Sequence, residues 1–185
     1  WYAMMCYWQN NSKSIALSVW NVTPKNVMGY EKAVEWNGLI GAFGFIVTFS
    51  VAFYLAKLAK KHGAKMIHFV CLLLGAVSFL CFPIVQNQYV FFAVIIGYGI
   101  AWASMMGIPY LMVVAVVPKE RYGVYMGIIN MMIVIPMIIQ NLSFGYILKN
   151  FLDNDPRQAI SFAGVLLLIS SFCTLLIKSK KVSRE

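Results

Sequence analysis

Tyr98, Trp102, Ser104, Pro109 and Tyr110 fall inside one apolar run, 89–117, and Asn130, Pro136, Gln140 and Asn141 fall inside the next, 122–148. Flat aromatic rings can stack on the apolar face of a sugar, and neutral amides can bond its hydroxyls. Both runs are long enough to cross a bilayer. At that depth a polar group is costly unless it faces protein, water or a ligand. A wet or substrate-filled cavity between helices is the first expectation, and polar contacts that tie helices together are the second. Asn130 and Asn141 stand eleven residues apart, close to three helical turns, and so share a face. Tyr98 and Pro109 have the same spacing, with Trp102 one turn from Tyr98. That spacing fits a carbohydrate site and a packed helix pair equally well. The densest polar stretch lies elsewhere, in Trp8-Gln9-Asn10-Asn11-Ser12-Lys13.

The elements that must position these residues are membrane spans. Hydrophobic residues make up 61% of the 185 and charged residues 11%, which excludes an ordinary soluble domain. Five complete spans are predicted at 38–56, 66–85, 89–117, 122–148 and 159–177, with a partial, more polar one at 1–20. Short turns separate them, among them Lys60-Lys61-His62-Gly63, Gln86-Asn87-Gln88 and Asp153-Asn154-Asp155-Pro156. The expectation is one all-α bundle of six antiparallel transmembrane helices over residues 1–185. Spans 66–85 and 159–177 are almost wholly aliphatic and are expected at the lipid-facing periphery. Gly38, Gly41 and Gly44 form a small-residue stripe expected to admit a neighbouring helix. The chain opens on Trp1 in an apolar stretch without the pattern of a signal peptide, and is expected to lack an N-terminal part.

The net charge of +9 is topological. Lys57, Lys60, Lys61 and Lys65 share one side of the predicted bundle with Lys119, Arg121 and the tail residues Lys178, Lys180, Lys181 and Arg184. On the other side Lys25, Lys32, Lys149 and Arg157 are balanced by Glu31, Glu35, Asp153 and Asp155. By the positive-inside rule the first side, with the C-terminus, is cytoplasmic. No nucleic-acid partner is expected. Cys6, Cys71, Cys81 and Cys173 lie in apolar runs without metal-ligand spacing and are expected to be buried small hydrophobes, with no metal or cofactor. No Asp, Glu, Lys or Arg falls within the five complete spans, and His62 and His68 are placed in the basic turn away from any carboxylate. A membrane enzyme is therefore not expected, and an ion-coupling carboxylate would lie outside these spans.

At these residues the chain resembles the major facilitator superfamily, and within it the sucrose- and maltose-type proton symporters of the glycoside–pentoside–hexuronide group. The resemblance rests on Gly99-Ile-Ala-Trp102-Ala-Ser104-Met-Met-Gly-Ile-Pro109-Tyr110, then Gly123-Val-Tyr-Met126-Gly127-Ile-Ile-Asn130, then Ile133-Val-Ile-Pro136. Trp1-Tyr2-Ala3-Met4 looks like that group's seventh helix. The chain departs from the pattern at Lys60, where the superfamily's cytoplasmic loop has Asp, and at Ala56, Phe45 and Met137. The resemblance implies helices seven to twelve of a twelve-helix fold in the inner or plasma membrane, whose missing N-terminal six-helix half is its partner. It implies secondary active transport of a mono- or disaccharide or glycoside by alternating access, with a proton as the coupled ion. The substrate-facing residues it implies are Trp8, Gln9, Asn10, Tyr98, Trp102, Asn130 and Asn141. The alternatives are a drug or metabolite exporter of the same fold, or a non-transporting membrane scaffold.

Overall fold

A computed structural model describes residues 1–177; the basic tail residues Lys178, Lys180, Lys181 and Arg184 lie outside them. The described chain is all-helical: α1 (Tyr2–Trp20), α2 (Val27–His62), α3 (Ala64–Cys81), α4 (Val90–Val114), α5 (Tyr122–Phe151) and α6 (Pro156–Thr174). Five of these, α2 to α6, are long and apolar enough to cross a membrane. The run Gln9–Asn10–Asn11–Ser12–Lys13–Ser14 keeps α1 below that level of apolarity, yet α1 packs along α6 and α2 as a full member of the bundle.

Local chemistry sets the ends. The Asn26 side chain accepts from the Gly29 N–H at 3.2 Å to open α2, and Asp155 accepts from the Arg157 N–H at 2.8 Å to open α6, with Pro156 in the first turn. Asn21 closes α1 in the left-handed region, at φ 52°. Gly63 alone joins α2 to α3, at φ 91°, where a side chain would strain the backbone. Between α5 and α6, Asp153 and Asn154 are also left-handed, the turn that Asp-Asn-Asp-Pro predicts.

α3 lies between α4 and α6, α2 runs along α4, and α5 touches the others sparsely, mainly α1. The core is a layer of large side chains, with Met4, Phe79, Phe82, Phe91, Ile95 and Ile160 all fully buried. The helices approach closely where glycine faces a partner: a Cβ on Gly97 would sit 2.5 Å from the Leu74 carbonyl oxygen, and one on Gly99 2.8 Å from that of Gly44.

Several expectations are corrected. Span 38–56 is the middle of a 36-residue helix, because hydropathy marks only the part at hydrocarbon depth while the charged flanks continue the helix. Of the stripe Gly38, Gly41, Gly44, only Gly44 meets a neighbour, at Ile95 and Tyr98. A three-residue period drifts about 60° per step on a helix of 3.6 residues per turn, so the first two glycines turn away. Spans 66–85 and 159–177 are not the barest helices. Each keeps one open apolar face, with Val70, Leu74 and Val77 on α3 and Val165, Ile169 and Phe172 on α6. The largest open apolar surfaces belong to α2, with Phe45, Phe49 and Phe53, and α5, with Met131, Met132 and Leu142. Cys81 and Cys173 are exposed, and only Cys6 and Cys71 are buried.

Candidate functional site

α1, α4 and α5 carry the polar and aromatic groups, in three clusters. The first is an aromatic ladder between α1 and α4. Trp102 lies edge-on to Trp1 at 5.5 Å and to Trp8 at 5.3 Å between ring centroids, and stacks on Tyr98 at 6.2 Å and 14°. Tyr98 stacks in turn on Phe79 of α3 at 5.9 Å, and Tyr7 stacks on Phe79 at 4.6 Å. The Trp8 indole N–H donates to the Tyr98 hydroxyl at 3.3 Å. One helical turn separates Tyr98 from Trp102, which lets the rings lie one above the other. Tyr98 is buried, whereas Trp8 and Trp102 are half-buried and present ring surface to the outside.

The second cluster is a chain of amides between α1 and α5. Gln140 Nε2 donates to Gln9 Oε1 at 2.9 Å, Gln9 Nε2 donates to Asn141 Oδ1 at 2.9 Å, and Asn141 Nδ2 donates to the Met137 carbonyl at 2.8 Å. All the donors in this chain therefore run one way. At its head, the Oε1 of the fully buried Gln140 has no partner. One turn further along α5, the Tyr2 and Ser143 hydroxyls share a bond of 2.9 Å. Gln9 follows Trp8 directly, so the aromatic ladder and the amide chain meet on α1.

The third cluster stands apart. Asn130 Oδ1 accepts from the Tyr110 hydroxyl at 2.8 Å and ties α4 to α5. Asn130 shares a helix face with Asn141 but lies about 16 Å from it along the axis, at 1.5 Å per residue.

The structure thus brings Trp8, Tyr98 and Trp102 together, sets Gln9 against Asn141, and leaves Asn130 on Tyr110. Asn10 joins none of these clusters: it is buried and donates to the Cys6 carbonyl of its own helix at 2.9 Å. Gln140, Tyr110, Tyr2 and Trp1 are partners that the sequence-based site set omits. An amide beside Asn141 in an apolar run was the available signal for Gln140.

A fourth polar contact is buried elsewhere. His68 is part of α3, not of the basic turn, and its Nδ1 lies 2.7 Å from Ser104 Oγ of α4. Ser104 is fully buried and His68 is buried with it, near the start of α3. Outside the spans, burial acts to raise the Asp155 carboxyl, but hydrogen bonds and the charge of Arg157 outweigh it. They hold Asp155 below its ordinary value. The Arg157–Asp155 ion pair is 2.7 Å long. Among the described residues no group of three or more His, Cys, Asp or Glu is arranged to hold a metal.

Two concavities of about 280 Å³ lie away from these clusters, one at Pro83, Asp155 and Arg157, the other between α2 and α4. The aromatic ladder and the amide chain form an open wall: rings for stacking, with an ordered row of neutral donors and acceptors beside them.

No curated protein and no solved structure matches the chain. The profile of the Major Facilitator Superfamily matches residues 14–184. That match takes in α2 to α6 complete and the end of α1, and so the five helices among the described residues that are long and apolar enough to span a bilayer. The chain is an integral, multi-pass membrane protein of the transporter type and belongs to the Major Facilitator Superfamily.

Proposed function

We propose that the chain is the C-terminal six-helix half of a proton-coupled sugar transporter that works by alternating access in the inner or plasma membrane. The observation that carries this reading is the meeting, on α1, of the Trp8–Tyr98–Trp102 ladder with the Gln9–Asn141 amide chain. Stacked rings give a sugar's C–H face an apolar platform, and amides fixed in one direction bond its hydroxyls without charge. The open wall formed by these residues would be closed by the other six-helix half, with substrate held between the two. Trp8, Gln9, Trp102 and Asn141 make the direct contacts in this reading. Asn130 contributes from further along α5, and Tyr98 and Asn10 act from behind the surface. The carboxylate that takes the coupled proton is assigned to the other half. The basic Lys57–Lys60–Lys61 end of α2 and the C-terminus face the cytoplasm.

The deciding experiment measures sugar uptake into proteoliposomes by the whole transporter, over a panel of mono- and disaccharides with and without an imposed proton gradient. Saturable uptake that the gradient drives, and that Trp102→Ala weakens, supports the proposal. Export of apolar organic cations with no response to any sugar would replace it with the exporter reading.

A further inference from the structure

α2 runs along α4, and toward the basic end an open groove lies between them. A Cβ on Gly99 would lie 2.8 Å from the Gly44 carbonyl oxygen, and the Thr48 hydroxyl donates to both the Gly44 and the Gly99 carbonyls at 3.0 Å. Beyond Thr48, toward the basic end, the lining mixes small residues, Ala52 and Ala56 on α2 and Ala103 and Gly107 on α4, with the larger Leu55 and Ile108. Between them the helices leave an open groove of about 280 Å³, which Thr48, Met106 and Leu111 also line. A Cβ on Gly107 would meet nothing within 4 Å.

Two further observations fix the depth of this groove and the charge above it. At the other end of α2, Trp36 meets Tyr89 edge to face at 5.3 Å, an aromatic pair of the kind that sits at a membrane interface. From Trp36 to Ala56 the helix has 21 residues without a charge, about 31 Å at 1.5 Å per residue, the thickness of a hydrocarbon core. The groove therefore lies at acyl-chain depth and opens where that core ends. Lys57, Lys60 and Lys61 follow at once, all exposed, with no acidic residue from Ala56 to Lys65. Lys60 stands one helical turn beyond Ala56 on nearly the same face. Lys65 is occupied elsewhere: its ammonium donates to the Leu175 and Ile177 carbonyls at 3.3 and 3.1 Å.

We propose that this is a binding site for one anionic phospholipid, with an acyl chain in the α2–α4 groove and the headgroup phosphate on Lys60, assisted by Lys57 and Lys61. Exposed lysines that begin where the hydrocarbon ends match an anionic headgroup in charge and in height. The groove beneath gives the site a shape that a basic patch alone lacks. The site is separate from the aromatic ladder and does not depend on the sugar proposal; it uses the topology only to name the cytoplasmic leaflet.

The test is native mass spectrometry of the full chain in a neutral detergent, titrated with phosphatidylglycerol and, separately, with phosphatidylcholine. One phosphatidylglycerol should be retained, at least about tenfold more tightly than phosphatidylcholine. Replacing Lys57, Lys60 and Lys61 together by Gln should abolish that preference. Gly107→Leu and Ala56→Leu fill the groove without altering charge, and each should weaken phosphatidylglycerol retention several-fold. Gly107→Leu enters open space, so it keeps the fold intact for the comparison. Equal retention of the two lipids would overturn the proposal. So would displacement of the lipid by millimolar inorganic phosphate, which would mark a simple anion site. Undiminished phosphatidylglycerol binding in both groove-filling variants would overturn it too, as would a groove closed by a second copy of the chain, seen as a dimer that excludes lipid.

Discussion

The Trp8 indole N–H is bonded to the Tyr98 hydroxyl at 3.3 Å, and this bond couples a half-buried ring on α1 to a buried one on α4. Tyr98→Phe keeps the stack on Trp102 and removes only the acceptor. We expect a stability loss of about 0.5–1.5 kcal/mol, the net value of one such bond, with little change in sugar affinity. Trp102→Ala removes ring surface that a sugar would contact, and should weaken affinity about three- to tenfold for a stacking term of about 0.5–1.5 kcal/mol. Thermal unfolding and tryptophan-fluorescence titration on the purified transporter separate the two. A larger affinity loss in Tyr98→Phe than in Trp102→Ala would reverse their assigned roles.

Gln140 is fully buried and its Oε1 is unbonded, so part of its burial cost is not offset. Gln140→Leu removes that cost together with the bond to Gln9. Its effect on the melting temperature should be small for a buried site, within about 1 kcal/mol. The Gln9 carbonyl, left without its donor, then becomes free to rotate, and affinity for a polyol substrate should fall. A strongly destabilised Gln140→Leu protein would show that the Gln140 bonds contribute more than the burial of its amide costs.

Asn130 accepts from Tyr110, so its replacement leaves a phenol hydroxyl without its acceptor. Asn130→Ala should cost about 1–3 kcal/mol of affinity if the amide also bonds substrate, one to two factors of ten. Tyr110→Phe serves as the control, because it removes the helix-to-helix bond and leaves the amide in place. Equal affinity losses in the two variants would identify the pair as an α4–α5 tie and remove Asn130 from the site.

Asp155 caps α6 and pairs with Arg157, which holds its carboxyl below the ordinary range. A carboxyl depressed on folding stabilises the protein fully above its unfolded value, and that contribution is lost as pH falls through the folded value. Stability should therefore drop on acidification below the ordinary carboxylate range. Asp155→Asn should flatten that drop while retaining part of the cap, since an amide oxygen still accepts from the helix. The Arg157 side chain is 42% exposed, so the ion pair itself adds little in salt. Melting curves at pH 3 to 7 on both proteins measure the difference.

The helices were legible because hydropathy and loop chemistry report directly on bilayer depth. The runs at 66–85, 89–117, 122–148 and 159–177 each fall on one helix, give or take a few residues, and Asp-Asn-Asp-Pro marks its turn. Pairing was less legible. Asn130 and Asn141 do share a face, but a face says nothing of distance along the axis, and the two take different partners. Asn10 has the composition of a ligand residue, yet its angle on α1 turns it toward the core, where it bonds the Cys6 carbonyl. His68 sits four residues into α3, next to the basic turn, and only the packing of α3 on α4 shows its nitrogen on Ser104. The Gly38–Gly41–Gly44 stripe failed for the same reason: period alone does not show which face has a neighbour.

α5 has few buried side chains, Ile129, Gln140 and Phe144; besides the Phe144 ring on Tyr2 and Phe162, it meets its neighbours through amides and hydroxyls, Gln140 and Asn141 with Gln9, Ser143 with Tyr2 and Asn130 with Tyr110. Water competes for such bonds and hydrocarbon does not. The polar part of the grip on α5 therefore depends on how wet this flank is. Water reaching this flank would loosen those bonds and its exclusion would tighten them, while the Phe144 ring, packed on Tyr2 and Phe162, would hold in either case.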